Sequence, residues 1–282
     1  MVRSVKLPAG MVIAMAEQLT PHVRVATLNT WGVAIRASQL ASRYAVIGAE
    51  FEAGQADVVC FQEVFTYWHL WLLARRMRSF RHVSYRRTAL GPAGGLVTFS
   101  RLPVSGRDYQ GFGTPPEAPG LPQHVRSTAR LKGALVTRLA HPGLSVVNTH
   151  PVANWDGDWS PASRFYPLHH AQLAALAQTA HGIGGPAVVC GDFNVARDSS
   201  LFGDFMAETG LADAFEGKCP PTFRAEYPPA GKEPHCIDFI LTATAVKAES
   251  VGLLLTGQVD LPRGPGYASD HIGLYASLLL TP

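Results

Sequence analysis

The sequence has little of several features that define specialised classes of protein. Cysteine occurs four times in 282 residues, which is too few for a small domain held together by disulfide bonds. No stretch approaches the roughly 18 consecutive apolar residues of a membrane-spanning helix. Charged residues make up 16% and hydrophobic residues 47% of the chain, a balance that excludes a disordered protein. Repeats, low-complexity tracts and charge runs are also missing, so we expect a globular protein with a sizeable core.

The excess of positive charge is small. The 24 lysines and arginines exceed the 21 aspartates and glutamates by three. A nucleic-acid-binding coat needs a larger or more clustered excess, although a local basic patch stays open. The N-terminal segment is basic, but Pro8 and Gly10 interrupt it and Glu17 follows its short apolar run, unlike a secretory signal peptide. We interpret residues 1–22 as an N-terminal extension and predict a cytoplasmic protein.

Short β-rich runs alternate with helical patterns from residue 23 onwards. Val23–Leu28 alternates apolar and polar residues, and Asp57–Phe61 is a continuous apolar run typical of a buried strand. Further predicted strands are residues 94–100, 132–139, 144–148, 187–190, 236–241, 246–255 and 272–280, and predicted helices are residues 38–53, 66–80 and 167–180. The Pro-rich stretch 105–127 is predicted to be a long loop. No linker interrupts the pattern, so residues 23–282 are predicted to form one α/β domain.

Polar side chains collect where the predicted strands end. They are Asn29, Gln62, Glu63, His150, Asp192, Asn194, Asp238, Asp270 and His271. Strand ends of an α/β core converge on one edge, where ligands bind. Carboxylate and amide oxygens suit a hard cation such as Mg²⁺, and the lack of cysteine in this set argues against a zinc-thiolate site. Two histidines supply acid–base function without a serine or cysteine nucleophile motif, which indicates direct attack of water on a phosphate ester.

Seven short motifs follow one another in an order that resembles a known family. They are LNTWG (28–32), CFQEV (60–64), GLVTFSRLPV (95–104), NTHP (148–151), GDFN (191–194), IDFIL (237–241) and SDHIGL (269–274). Together they resemble the endonuclease/exonuclease/phosphatase superfamily, which includes DNase I, abasic-site endonucleases, inositol polyphosphate 5-phosphatases and neutral sphingomyelinases. The resemblance spans residues 23–280. It implies a DNase I-like four-layer α/β/β/α sandwich, which agrees with the single α/β domain predicted from the pattern.

The resemblance implies a metal site at three of these positions. Glu63 would be the principal Mg²⁺ ligand, and Mn²⁺ would substitute for Mg²⁺. Asn29 would lie beside Glu63 and contact the metal or the phosphate. Asp270 would lie near the metal.

The resemblance also implies the roles of the remaining polar residues. Asp192 would position or activate the attacking water, and Asn194 would hold the scissile phosphate. His271, oriented by Asp238, would be the acid–base histidine. His150 would stabilise the pentacovalent phosphorane or protonate the leaving oxygen. Which histidine acts as base and which as acid stays open.

Three features favour the neutral sphingomyelinase branch: the KGA string at 132–134, the segment 163–178, and PTF at 221–223 followed by CID at 236–238. Our first hypothesis is a Mg²⁺-dependent phosphodiesterase that acts on a phospholipid or a small phosphodiester. A nuclease acting on DNA or RNA is the first alternative, and a catalytically silent binding protein of the same fold is the second. Only Arg164 and Arg263 flank His150 and Asp270 as basic residues, which favours a smaller or zwitterionic substrate.

The aromatic loop 153–166 is a candidate for substrate contact. Trp155 and Trp159 would line the substrate mouth or lean on a lipid surface, and packing on a neighbouring loop is the equal alternative. Arg164 would contact a substrate phosphate, the alternative being an ordinary surface arginine. We therefore expect a monomer with a lipid or nucleic acid partner, peripheral membrane contact and no transmembrane segment.

Other aromatic and cysteine residues receive plainer interpretations. Tyr67, Trp68 and Trp71 have helical spacing, and we predict that they pack in the core rather than anchor a membrane. Cys219 and Cys236 flank a Pro-rich loop, and the sequence leaves open whether a disulfide joins them.

Overall fold

A computed structural model describes residues 22–32, 39–113, 120–227 and 233–281. Almost all of the N-terminal extension predicted at 1–22 lies outside these residues, as do three prolines of the predicted loop at positions 115, 116 and 119. Within the described ranges, no helix combines the length and the apolar character needed to cross a membrane.

The described chain forms five α-helices and fourteen β-strands. The helices are α1 (Leu40–Ala53), α2 (Tyr67–Ala74), α3 (Gln123–Ala129), α4 (Tyr166–His181) and α5 (Ser200–Thr209). The strands are β1 (His22–Asn29), β2 (Val58–Gln62), β3 (His82–Ser84), β4 (Val97–Ser100), β5 (Val104–Gly111), β6 (Gly133–Leu139), β7 (Ser145–Thr149), β8 (Ala187–Asp192), β9 (Ala212–Asp213), β10 (Asp238–Thr242), β11 (Val246–Leu254), β12 (Val259–Leu261), β13 (Gly264–Gly266) and β14 (Gly273–Leu280).

Two six-stranded mixed sheets form the centre of the molecule. The first has the order β11-β14-β1-β2-β4-β3, and the second has the order β5-β6-β7-β8-β10-β9. Helices α1 and α2 cover the outer face of the first sheet, and α4 and α5 pack on the second sheet. The result is the predicted DNase I-like α/β/β/α sandwich in a single domain.

Side-chain alternation along the strands explains the layers. In β1 and β2, Val25 and Val58 point toward the second sheet, whereas Ala26 and Phe61 point toward the helices. Because successive side chains of a strand face opposite sides, a strand that is buried on both faces must be apolar throughout. This requirement accounts for the continuous apolar run that precedes Gln62.

A hydrogen bond joins the two sheets through the apolar layer. Gln62 Nε2 donates to Asn148 Oδ1 at 2.7 Å, and both residues are fully buried. Asn148 Nδ2 in turn donates to the carbonyl oxygens of Phe61 and Val97. A buried amide needs such partners to avoid a desolvation penalty, so these bonds fix the lateral position of one sheet against the other.

The loop predicted at 105–127 is wrong over most of its length. Residues 104–111 form β5, an edge strand whose side chains are mainly exposed, and residues 123–129 form α3. An edge strand has one solvated face and therefore lacks the apolar pattern of a central strand. Helix α3 is short, and only Val125 and Ala129 are buried on it.

The predicted helix 66–80 is too long, and the predicted core position of its tryptophans is wrong. Helix α2 ends at Ala74, after which the chain turns and buries Met77 and Phe80. Trp68 and Trp71 are 52% and 53% exposed, because Leu72 and Leu73 occupy the buried side of this helix. All four cysteines are free buried thiols, so no disulfide joins Cys219 to Cys236.

Candidate active site

The candidate residues meet at one edge of the sandwich because of strand direction. Parallel strands β1 and β2 align Asn29 with Gln62, and parallel strands β7 and β8 align Thr149 with Gly191. Their carboxyl ends therefore lie at the same edge. Residues at or directly beyond these ends, or at the starts of neighbouring antiparallel strands, are Asn29, Glu63, His150, Asp192, Asp238 and His271.

Unusual backbone conformations occur in the loops that carry these side chains. Trp31, Glu63 and Asn194 have positive φ angles of 51°, 63° and 53°. Non-glycine residues rarely adopt such angles, and they cluster at functional sites where the surroundings enforce them. Gly32 is required here, because a Cβ at this position would lie 1.9 Å from the carbonyl oxygen of Glu63.

Asn29 links two carboxylates across the two sheets. Its Nδ2 donates to Asp192 Oδ2 at 2.9 Å and lies 3.3 Å from Glu63 Oε1. The other oxygen of Glu63 accepts a hydrogen bond from the backbone N–H of Gly32 at 2.9 Å. Glu63 is thus held at both oxygens while remaining partly open to solvent.

Asp192 lies at the centre of the site. Its Oδ2 is 3.4 Å from His150 Nε2 and 3.7 Å from His271 Nε2, and its Oδ1 accepts from the backbone N–H of Asn194 at 2.8 Å. Burial alone would raise the pKa of Asp192, but the imidazoles of His271 and His150 hold it well below its usual range. Asp192 is therefore ionised at neutral pH.

His271 is paired with a buried carboxylate. Its Nδ1 lies 2.8 Å from Asp238 Oδ2, an arrangement that orients the ring and directs Nε2 toward Asp192. Burial would lower the pKa of His271, but Asp238 and Asp192 together raise it well above its ordinary value. This histidine is able to carry a proton at neutral pH.

His150 is held by a cationic group instead of a carboxylate. The ammonium of Lys132 lies 3.0 Å from His150 Nδ1, and both side chains are buried. Burial lowers the pKa of Lys132 to about 8, against the attraction of Glu63 and Asp192. An ammonium group only donates, so Nδ1 of His150 accepts and the ring proton sits on Nε2. Lys132 is thus a site residue that the sequence does not reveal, since its KGA string indicates only a branch of the family.

The cluster has the composition of a metal site. Ligand atoms of Asp192, Asp238 and His271 all lie within 4.8 Å of one another, a spacing that could hold a metal ion. Burial raises the pKa of Asp270 to about 7, and the carboxylates of Glu63 and Asp192 act in the same direction against His271. A divalent cation relieves such repulsion between carboxylates, so the carboxylate oxygens of Glu63, Asp192 and Asp270 fit a hard cation.

The residues predicted to contact the substrate differ in how deeply they are buried. Asn194 Nδ2 donates to Pro151 O at 3.2 Å, and its carbonyl oxygen accepts from Trp159 Nε1 at 2.9 Å. Trp159 is therefore part of the wall of the site. Trp155 is 68% exposed, and Arg164 is exposed and paired with Asp156 at 2.6 Å.

The comparison with known families decides where this chain belongs. The sequence profile described as the Endonuclease/Exonuclease/phosphatase family matches residues 26–271. The chain belongs to this family. Members are typically hydrolases of phosphoester bonds. No curated protein sequence matches the chain.

Solved structures of this endonuclease/exonuclease/phosphatase fold cover nearly the whole chain. Beta toxin from Staphylococcus aureus with bound magnesium ions has a TM-score of 0.69 at 16% identity over 93% of this chain and 100% of its own. Sphingomyelinase C from Streptomyces griseocarneus has a TM-score of 0.66 at 17% identity over 92% and 99%. D. rerio TDP2 with a single-strand DNA product has a TM-score of 0.68 at 18% identity over 91% and 98%. At these identities the similarity establishes the fold.

Proposed function

We propose that this protein is a Mg²⁺-dependent phosphodiester hydrolase that uses direct attack of water at phosphorus. The observation that carries the proposal is the buried cluster in which one carboxylate, Asp192, meets Asn29, His150 and His271. The hydroxyl of Ser269 is fully buried and donates to the carbonyl oxygen of Asn29 at 2.6 Å, so it is not presented as a nucleophile, and the residues present suit hydrolysis without a covalent intermediate. The preferred substrate is a phospholipid or a small phosphodiester, in line with the similarity to sphingomyelinase C from Streptomyces griseocarneus.

Glu63, Asn29 and Asp270 would hold the metal ion. When bound, Mg²⁺ supplies a Lewis acid that polarises a phosphoryl oxygen, and Mn²⁺ would serve in its place. Glu63 presents its carboxylate in a fixed direction because Asn29 and Gly32 contact its two oxygens. The raised pKa of Asp270 supports the same assignment, since a cation would keep this carboxyl ionised.

The protein's own residues would orient and move the protons. Ionised Asp192 accepts a hydrogen bond from the attacking water, whose oxygen forms the new bond to phosphorus as the bond to the leaving oxygen breaks. The proton that the water loses goes to Asp192, and His271, held by Asp238, gives its proton to the leaving oxygen. Transfer of the proton from Asp192 to His271, whose facing atoms are 3.7 Å apart, then restores both groups. His150 donates its Nε2–H to a phosphoryl oxygen, and Asn194 positions the phosphate.

Hydrolysis of bis(p-nitrophenyl) phosphate with Mg²⁺, and with EDTA instead, tests the proposal. The substitution Glu63→Gln keeps the shape of the side chain but removes its charge, so activity should collapse at low Mg²⁺ and return in part with excess metal. Glu216→Gln, at a surface carboxylate paired with Lys218, is the matched control and should leave turnover unchanged. Full activity of Glu63→Gln at low Mg²⁺ would overturn the metal assignment. Absence of turnover in every form would favour the silent binding protein.

A specific observation supports a nuclease as the second candidate. Three arginines from two separate segments of the chain, Arg86, Arg87 and Arg107, line a cavity of about 300 Å³ together with Tyr85, Tyr109 and one acidic residue, Asp108. The basic and aromatic side chains of this cavity suit a nucleic acid backbone. A parallel assay on sphingomyelin, supercoiled plasmid and abasic DNA separates the two candidates.

A further inference from the structure

The positive charge of the chain is concentrated in one segment. Residues 64–107 contain eight arginines and no aspartate or glutamate, so the rest of the chain carries an excess of acidic residues. Seven of these arginines are exposed, and within the described residues Arg75, Arg86 and Arg87 form no ion pair. Their charge is therefore available to a partner.

Large apolar side chains are exposed among these arginines. Trp68 and Trp71 lie three residues apart on the outer side of α2, and Leu90 is 81% exposed in the loop before β4. Residues three apart on a helix are neighbours on its surface. Exposed apolar groups gathered in this way mark interaction sites in soluble proteins.

One hydrogen bond and one ring contact join α2 to the loop 85–91, and a second ring contact lies at the end of α2. The hydroxyl of Tyr67 donates to the carbonyl oxygen of Thr88 at 2.7 Å. The guanidinium of Arg75 lies 4.7 Å from the ring centre of Trp71, and that of Arg87 lies 5.8 Å from the ring centre of Tyr67. We name this surface the tryptophan–arginine face, formed by Trp68, Trp71, Arg75, Arg86, Arg87 and Leu90.

This face is joined to the mouth of the active site. The backbone N–H of Phe65 donates to Glu63 O at 3.0 Å. The ring of Phe65, which is 37% exposed, packs on Gly95, and Gly95 packs on the Cα of Glu63. Gly91, next to Leu90, packs on the backbone of Phe65. A surface bound by the tryptophan–arginine face would therefore lie beside the proposed metal ligand.

We infer that the tryptophan–arginine face docks on the surface of an anionic phospholipid bilayer. Indole rings prefer the level of the lipid headgroups, and arginines pair with lipid phosphates there. An aliphatic tip such as Leu90 suits insertion among acyl chains and offers no ring on which a nucleic acid base could stack. The inference rests on the proposed function, because it supplies the means by which the site would reach a phospholipid substrate.

Vesicle sedimentation of the full chain in EDTA measures docking without turnover. We expect binding to vesicles of phosphatidylcholine and phosphatidylglycerol at 70:30, weaker binding to pure phosphatidylcholine, and loss of most binding in 0.5 M NaCl. The double variant Trp68→Ser/Trp71→Ser should bind roughly tenfold more weakly or worse. It should still hydrolyse soluble bis(p-nitrophenyl) phosphate with Mg²⁺ at the unaltered rate.

Matched pairs of variants show whether a loss of binding comes from the proposed surface or from misfolding. Leu90→Ser, in a loop, should also weaken binding, whereas Leu253→Ser, on an exposed position of β11, should not. Arg86→Gln/Arg87→Gln should reduce the preference for anionic vesicles, whereas Arg126→Gln/Arg130→Gln on and beside α3 should not. The tryptophan emission should shift to shorter wavelength on binding and should lose this shift in Trp68→Ser/Trp71→Ser.

Three outcomes overturn the inference. They are binding at the wild-type level by both the Leu90 and the tryptophan variants, no binding of the wild type to anionic vesicles, or tight binding of a DNA duplex that the tryptophan variant loses. Turnover of the soluble substrate without vesicle binding would refute the docking surface alone. Vesicle binding without turnover of any phosphodiester would leave docking supported and refute the proposed hydrolase.

Discussion

The ammonium nitrogen of Lys132 lies 3.0 Å from Nδ1 of His150 inside the site. His271, the other histidine beside Asp192, has the carboxylate of Asp238 at the same ring position. One imidazole is thus held next to a cation and the other next to an anion. The two rings are therefore held differently: Nδ1 of His150 faces an ammonium group, whereas Nδ1 of His271 faces a carboxylate that raises its pKa and suits it to carrying a proton.

Replacing Lys132 by methionine keeps the length of the side chain and removes the donor. We expect kcat to fall about 10- to 100-fold, because such a partner fixes the tautomer and direction of a functional imidazole. With the pKa of Lys132 at about 8, wild-type activity should decline above pH 8 as the ammonium loses its proton, and Lys132→Met should lack this limb. Steady-state rates from pH 6 to 10 provide the measurement. If Lys132→Met/His150→Ala were much slower than His150→Ala, Lys132 would act independently of His150.

The pair of Asp238 and His271 should set one limb of the pH–rate profile, at a pH above that of an ordinary histidine. His271→Ala should reduce the rate about 10²- to 10⁴-fold. Asp238→Asn should reduce it less and should shift the histidine ionisation to lower pH, since the anion that raises the pKa of His271 is gone. Because residues of one catalytic unit are not additive, the double variant should be barely slower than His271→Ala. If the losses of rate in the two single variants multiplied in the double variant, Asp238 and His271 would act independently.

Asp270 should make metal-free stability depend on pH. Its folded pKa of about 7 exceeds that of an unfolded aspartate, which is about 4. The ionised carboxylate therefore destabilises the fold fully above pH 7, and this cost shrinks as the pH falls from 7 and is gone only below about pH 4. In EDTA, Asp270→Asn should be more stable than the wild type at pH 8, and this advantage should be clearly smaller at pH 5. Excess Mg²⁺ should reverse the order at pH 8. Thermal unfolding at both pH values tests this, and an advantage of equal size at pH 8 and pH 5 would contradict it.

The amide pair between the sheets should contribute to stability. Asn148→Leu removes one acceptor from Gln62, whose Nε2 keeps Thr27 Oγ1 at 3.0 Å, and removes the side-chain donor from the carbonyl oxygens of Phe61 and Val97. We expect a loss of about 1–3 kcal/mol in the free energy of unfolding. Gln62→Leu/Asn148→Leu should cost less than the sum of the single variants, because the hydrogen bond between the two amides can be lost only once. Urea denaturation gives these values. Strict additivity would mean that the two amides do not interact.

Much of the fold and the site could be predicted from sequence, because strand ends carry a local signal. An apolar run followed by Glu63 or Asp192 identifies both a buried strand and the edge at which it stops. Edge strand β5 and short helix α3 lack such a pattern, since one solvated face or a few buried residues leave little trace in the sequence. Their segment was therefore interpreted as a loop.

Contacts between distant segments could not be predicted in the same way. Lys132 becomes a partner of His150 only because β6 and β7 are antiparallel neighbours. Arg86 and Arg107 reach one cavity from different sheets. The exposure of Trp68 depends on which side of α2 meets the first sheet, and this short, largely apolar helix offers more than one choice.

The active site is divided between the sheets, since Asn29, Glu63 and His271 come from the first and His150, Asp192 and Asp238 from the second. A sliding movement of one sheet by a single ångström would lengthen the contacts of Asn29 with Asp192 and of His271 with Asp238 together, with every strand still intact. Rates fall steeply when reacting groups are misplaced by that distance. The catalytic rate should consequently respond to a displacement between the two sheets before any spectroscopic signal of secondary structure does. Under mild denaturant or pressure, activity should therefore be lost first.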